Sequence, residues 1–210
     1  IDIGALSREE AEAAVRPGDE VTFGSLFDTA GGMIKSKALD DRAGCAVLID
    51  VMKNGLKYDT AFVFTVQEET GLNGAKTAAF AVKPDAAIVV EAATAADVPG
   101  VDRDRRVCRL GAGPAVSFMD RRTVYDRGFY ELAFRAAKKA GVKCQAKQAV
   151  AGGNDAGAIH VSRGGVRTAA VSLPCRYLHA PVGMIAQEDF LAAPKLVAKL
   201  AEMVAEERSD

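Results

Sequence analysis

The sequence has no tryptophan, only 6% aromatic residues and only two histidines, His160 and His179, so imidazole chemistry has two possible addresses. Its four cysteines, Cys45, Cys108, Cys144 and Cys175, are far apart and form no CxxC pair. That spacing argues against a thiolate metal site and for reduced, buried thiols in a reducing, cytoplasmic setting. A net charge of −1 gives no electrostatic footprint for nucleic acid or for an anionic membrane surface. No apolar run approaches the roughly 20 residues of a membrane span. The start, Ile1-Asp2-Ile3-Gly4, shows neither the basic region nor the apolar region of a secretory leader. Repeats and low-complexity tracts are also lacking.

What is present is ordinary globular material: 210 residues, 49% apolar and 26% charged, enough for one sizeable core or for a domain plus part of another. Residues 1–30 read as short and β-rich: an acidic helical turn over Ser7–Ala14, a turn at Arg16-Pro17-Gly18-Asp19, and a strand at Val21-Thr22-Phe23. From residue 33 onward strands and helices alternate. Helices are predicted over Ala43–Asn54, stopped by Gly55, over Gly74–Val82, over Gly128–Ala140, stopped by Gly141, and over Asp189–Glu206. Ala61–Val66 and Ala86–Val90 are continuous β-branched and aromatic or aliphatic runs, the pattern of strands buried on both faces. Further strands are predicted at Pro114–Phe118, Lys143–Ala149 and Val166–Leu173. This alternation implies an α/β fold, with helices on both faces of a central sheet.

In such a fold functional side chains collect beyond the carboxyl ends of the strands. Glu68-Glu69 follows the predicted strand 61–66, Glu91 follows the predicted strand 86–90, and Asp40 opens the helix that begins near Ala43. Like charges gathered at the end of a buried strand repel one another, and a cation relieves that cost. Each feature alone has a plainer explanation: Asp40 as a helix cap, Glu68-Glu69 as an exposed turn, His179 as an exposed histidine beside a strand, His160 as a hydrogen-bonded structural one. Three acidic clusters on one sheet edge favour a site.

Four segments carry a family resemblance, in this order: Lys37-Ala38-Leu39-Asp40-Asp41-Arg42-Ala43-Gly44-Cys45, Val66-Gln67-Glu68-Glu69-Thr70-Gly71-Leu72-Asn73-Gly74-Ala75, Gly152-Gly153-Asn154-Asp155-Ala156-Gly157-Ala158-Ile159-His160 and Arg176-Tyr177-Leu178-His179-Ala180-Pro181. Together they resemble the tetrahedral and glutamyl aminopeptidases, co-catalytic metallopeptidases of which some carry endoglucanase names. The resemblance implies a zinc-peptidase α/β fold with a mixed sheet. It also implies two divalent ions per subunit, zinc or cobalt, and removal of N-terminal residues from peptides by a water activated between the two metals. On the same ground Asp40 is expected to bridge the metals, Glu68 to be the general base, and Glu69, Glu91 and His179 to be ligands. Glu91 stands where most of the family has Asp, with the downstream Asp97-Val98-Pro99-Gly100 preserved.

Measured against that family, a second metal-binding histidine, in an upstream H-x-D motif, is not found here. Residues 1–30 are expected to be the last piece of a β-barrel dimerisation domain and residues 31–210 a catalytic domain without its N-terminal part. An N-terminally truncated chain of this kind is expected to have little or no peptidase activity, and the dodecamers of the family are doubtful for it. A catalytically impaired homologue with a degenerate metal site is the alternative. A glycosidase is disfavoured, because adjacent carboxylates are poorly placed to flank a glycosidic bond. Side-chain preference would be set by loops such as 92–113 and 117–127, and the charged run Asp102–Arg106 reads as a solvated or subunit-facing surface.

Overall fold

The computed structural model describes residues 1–24 and 26–207. In chain order the main elements are α1 (Arg8–Ala14), β1 (Phe27–Asp28), β2 (Met33–Ser36), α2 (Leu39–Asn54), α3 (Asn73–Val82), β3 (Ala86–Thr94), β4 (Ala115–Val116), α4 (Arg127–Ala140), β5 (Gln145–Ala146), α5 (Ala156–Ile159), β6 (Arg167–Arg176), β7 (Gly183–Ala186) and α6 (Gln187–Glu206).

The seven strands form one mixed sheet around β6. Strand β3 runs parallel to β6 in unbroken register, from Ala86 opposite Arg167 to Thr94 opposite Cys175. It therefore fills one edge of β6. On the other edge β4 pairs antiparallel at Val171 and Ser172, and β7 pairs antiparallel at Cys175 and Arg176. β5 extends the sheet parallel to β4, while β2 and then β1 extend it beyond β7. The outer edge of β3 has no strand partner among the described residues.

Side chains alternate across this sheet, as strand geometry demands. Val90 and Ala92 of β3, with Val171 and Leu173 of β6, enter a core shared with Val47 of α2, Phe129 and Leu132 of α4, and Leu196 and Leu200 of α6. On the opposite face Val89 and Ala170 pack with Tyr125 and Ala156, and α3 lies against α5. Helices thus cover both faces, as expected. Phe129 anchors the larger core with no exposed surface, a burial worth about 1.5–3 kcal/mol. Its helix is cut cleanly at both ends: the Asp126 carboxylate accepts from the Phe129 N–H at 2.9 Å, and Gly141 closes the helix in the left-handed conformation. No helix among the described residues is long and apolar enough to cross a membrane.

Several sequence expectations need correction. Residues 61–66 are not a strand: Ala61 to Thr65 make no backbone–backbone hydrogen bond among the described residues. The segment faces the outer edge of β3 across a cavity of about 1060 Å³, lined among others by Phe62, Phe64, Ile88 and Val90. Strand preference reflects fit to a paired, pleated surface, and with no strand beside it this run stays extended but unpaired. Val21–Phe23 is likewise irregular, with Phe23 64% exposed. The predicted strands at 114–118 and 143–149 shrink to the two-residue β4 and β5, whereas β6 runs three residues further than expected. Glu91 lies inside β3 and not after it.

Candidate active site

Asp40 and Asp41 are adjacent acids with different tasks. Both have non-helical backbone at the head of α2, preceded by Ala38 in the left-handed region at φ 52°. Asp41 turns back to accept from the Gly44 N–H at 2.9 Å, so it, and not Asp40, caps the helix. Gly44 makes this possible, because a Cβ there would lie 2.4 Å from the Asp41 carboxylate oxygens. Asp40 is left free to meet His179.

Glu68 and Glu69 sit in a tight turn. The Gly71 and Leu72 N–H groups donate to the Glu68 carbonyl, and the Gly74 N–H donates to the Val66 carbonyl. A side chain at Gly74 would strike that carbonyl at 2.3 Å. His179 lies in the turn between β6 and β7, itself at φ 64°. Non-glycine residues in the left-handed region thus stand at or just before each of the three segments: Ala38, Gln67 and His179. Each costs roughly 1–3 kcal/mol, a strain that tends to collect at functional sites.

These turns bring three groups together. The Nε2 atom of His179 lies 3.0 Å from Asp40 Oδ2 and 3.2 Å from Glu69 Oε1. One ligand atom from each of the three residues falls within 4.8 Å of the others. Two carboxylates and one imidazole on a shared centre are the donor set that zinc or cobalt accepts. The other acids crowd the same cavity, which Asp40, Asp41, Glu68 and Glu91 all line. Burial first, then the charges of Glu69, Asp155 and Asp40, push the Glu68 carboxyl up to about 7, against the opposing pull of His179. Burial pushes Asp41 up to about 8, aided by Asp40, Glu91 and Glu68. Burial also raises Glu91 to about 8, although Lys147, Asn154 and Ser172 oppose the shift. Asp40 is raised by burial and by Glu69. Four carboxyls on one cavity that resist ionisation, those of Asp40, Asp41, Glu68 and Glu91, are the electrostatic setting a divalent cation would relieve. A further acid, Asp155, takes the Thr65 hydroxyl on one oxygen at 2.6 Å, and its other oxygen is buried with no hydrogen-bond partner among the described residues.

The structure therefore places Asp40, Glu69 and His179 in one cluster, with Glu68 lining the cavity beside it. Glu91 is outside the cluster but opens on the same cavity. His160 is engaged elsewhere, its Nδ1 donating to the Ala156 carbonyl at 2.7 Å. All four cysteines are free, and burial pushes the thiols of Cys108 and Cys144 up to about 12 and that of Cys175 to about 11, so none is a ready thiolate. Sequence reasoning missed the capping task of Asp41 and the buried polar partners of Glu91. The only sequence signal for those partners was the Gly-Gly-Asn-Asp segment at 152–155.

The description "M42 glutamyl aminopeptidase" matches residues 1–196. The chain belongs to this M42 family. An aminopeptidase-named protein of Acetivibrio thermocellus is 42% identical over 199 residues, which are 94% of this chain and 60% of the relative. Among solved structures, an aminopeptidase of the archaeon Desulfurococcus kamchatkensis superposes with a TM-score of 0.88 at 34% identity, covering 96% of this chain and 58% of that one. The Pyrococcus horikoshii TET1 peptidase, described as able to assemble into a tetrahedron or a large octahedral shell, superposes with a TM-score of 0.78 at 33% identity, covering 95% and 59%. This M42 chain thus spans about three-fifths of the length of the relatives it matches.

Proposed function

We propose that this chain carries the metal-binding and proton-transfer core of an aminopeptidase that removes N-terminal residues from peptides. The observation that carries the reading is the convergence of Asp40, Glu69 and His179 from three separate turns, with Glu68 beside them. Asp40, Glu69 and His179 would hold one divalent cation, zinc or cobalt, and Asp40 with Glu91 would contribute to a second. Bound there, such ions polarise a scissile carbonyl and lower the pKa of an attacking water toward neutrality.

The remaining work falls to the protein. Glu68 is not part of the three-residue cluster but lines the cavity beside it, a placement that suits a group that takes a proton and returns it. In this reading Glu68 accepts the proton of the attacking water and then delivers it to the leaving amine. Asp155, a further acid on the same cavity with no other assigned task, would favour the ammonium of a free peptide N-terminus over a chain interior and so give exopeptidase selectivity.

Residues 1–30 are read as the end of a separate dimerisation domain and residues 31–210 as the catalytic domain, with β1 at their junction already joined to the catalytic sheet. In support, α1 buries none of its residues, and Val21, Phe23, Leu26 and Phe27 are each 60% or more exposed. Such uncovered apolar groups suit contact with further polypeptide, and homo-oligomeric assembly like that described for the Pyrococcus horikoshii peptidase belongs to the same reading. Free, protonated thiols agree with a cytoplasmic setting.

Hydrolysis of aminoacyl-p-nitroanilides, with and without added cobalt or zinc, tests the proposal. The chain alone is expected to turn over far more slowly than a full-length relative, and only with metal. Glu68→Gln should remove the residual rate. Turnover that ignores both EDTA and Glu68→Gln would sink the assignment.

A further inference from the structure

Glu91 is not one of the three residues of the Asp40, Glu69 and His179 cluster, yet its carboxylate is tightly held. The Nδ2 group of Asn154 donates to Glu91 Oε1 at 2.9 Å, and the Ser172 hydroxyl donates to the same oxygen at 3.0 Å. Asn154 is 1% exposed and Ser172 is fully buried. The Asn154 amide has no freedom left. Its second N–H is directed to the Tyr125 hydroxyl at 2.8 Å, and its carbonyl oxygen accepts from the Ala156 N–H at 2.8 Å. The Tyr125 hydroxyl in turn donates to Asp120 Oδ2, while Asp120 Oδ1 accepts the N–H groups of Arg122 and Thr123, each at 2.8 Å.

Every bond in this chain has a defined direction. Because Tyr125 gives its only proton to Asp120, it can only accept from Asn154. Because the Ala156 N–H needs an acceptor, the Asn154 oxygen must point there and its nitrogen toward Glu91. Two donors thus occupy Oε1, and no donor among the described residues reaches Oε2. Oε2 is the free oxygen on a side chain that shares its cavity with Asp40 and Glu68.

We infer that Asn154, locked by Tyr125 and Asp120, is a positioning residue that pins Oε1 of Glu91 and presents Oε2 as a single-oxygen ligand to a cation shared with Asp40. This rests on the metal reading given above. Outer-shell partners of a ligand typically govern metal affinity by 10- to 100-fold. Asn154→Asp keeps the size of the side chain but replaces the donor with an acceptor facing Glu91.

The test is cobalt(II) titration of the whole chain by calorimetry, with the visible absorption of bound cobalt as the readout of ligand geometry. The expected result is two cobalt equivalents in the parent. In Asn154→Asp the weaker equivalent should lose about 10- to 100-fold in affinity with an altered spectrum, the stronger one being unchanged. If Asn154→Asp melts before it can be titrated, Tyr125→Phe provides the second route. It leaves the Asn154 N–H without its acceptor and should shift the same equivalent in the same direction by a smaller factor. The inference is overturned if these variants bind both equivalents as the parent does, or if the parent binds one equivalent that neither variant touches. A parent that binds no cobalt removes the metal reading itself, and this inference with it.

Discussion

Residues 86–94 and 61–66 are both apolar and β-prone, and they face each other across one cavity, yet their fates differ. Strand β3 lies against β6 over nine residues, its side chains divided between two packed faces. The segment at 61–66 has no strand partner among the described residues. Phe64 and Val66 are 46% and 68% exposed, and the side chain of Thr65 reaches Asp155. A ladder supplies both the backbone partners and the pleated surface that such sequences need, and only one of the two runs has it. The catalytic candidates follow this division. Glu91 is held firmly from inside the paired strand, whereas Glu68 and Glu69 hang from the turn after the unpaired one.

The largest expected effect breaks the paired side. Leu173→Ala, at a position 1% exposed in β6, should cost about 2–5 kcal/mol in urea unfolding. Phe64→Ala on the unpaired side should cost less than about 1 kcal/mol. Equal losses at the two positions would mean that residues 61–66 are packed after all.

Next in size is the response to metal. Cobalt at a hundredfold excess over its dissociation constant should stabilise the chain by about 2.7 kcal/mol. His179→Ala should abolish most of that gain by removing a proposed ligand from the exposed cluster. A full gain retained in His179→Ala would place the cation elsewhere.

The pH dependence is smaller and has a defined sign. Asp41 and Glu91 are raised to about 8 and Glu68 to about 7, so the folded chain holds protons that the unfolded chain has lost. Without metal, the stability these protonated carboxyls contribute is full below the unfolded carboxylate range. It declines as pH rises from about 4 to about 8. Thermal melts in EDTA should therefore fall across that window. Asp41→Asn, which keeps the helix cap, should flatten the slope and gain on the order of 1 kcal/mol at its upper end. A metal-free melt that rises over the same window would contradict the burial of these groups.

Smallest is Thr65→Val, which deletes the hydroxyl bond to Asp155 and should cost about 1 kcal/mol. Because it loosens the segment that carries Glu68, it should also lower any metal-dependent peptidase rate. An unchanged rate and melt would show that the bond does not hold the segment.

The sequence by itself determined most of the helices, the two-faced sheet and the candidate acids, of which Asp40 and Glu69 meet His179 in one cluster. Periodicity and helix-stop residues such as Gly55 and Gly141 are local signals that act within a few residues. Tertiary structure decided the rest. Whether Ala61–Val66 becomes a strand depends on a neighbour that local sequence cannot specify. Asp40 and Asp41 look alike in sequence, and only the backbone turn at the head of α2 sends one to cap the helix and the other to His179, 139 positions away. Asn154 meets Glu91 across 63 positions because β3 and the loop before α5 share one face of the sheet. Contacts at such separations are products of sheet topology and packing, and no local pattern encodes them.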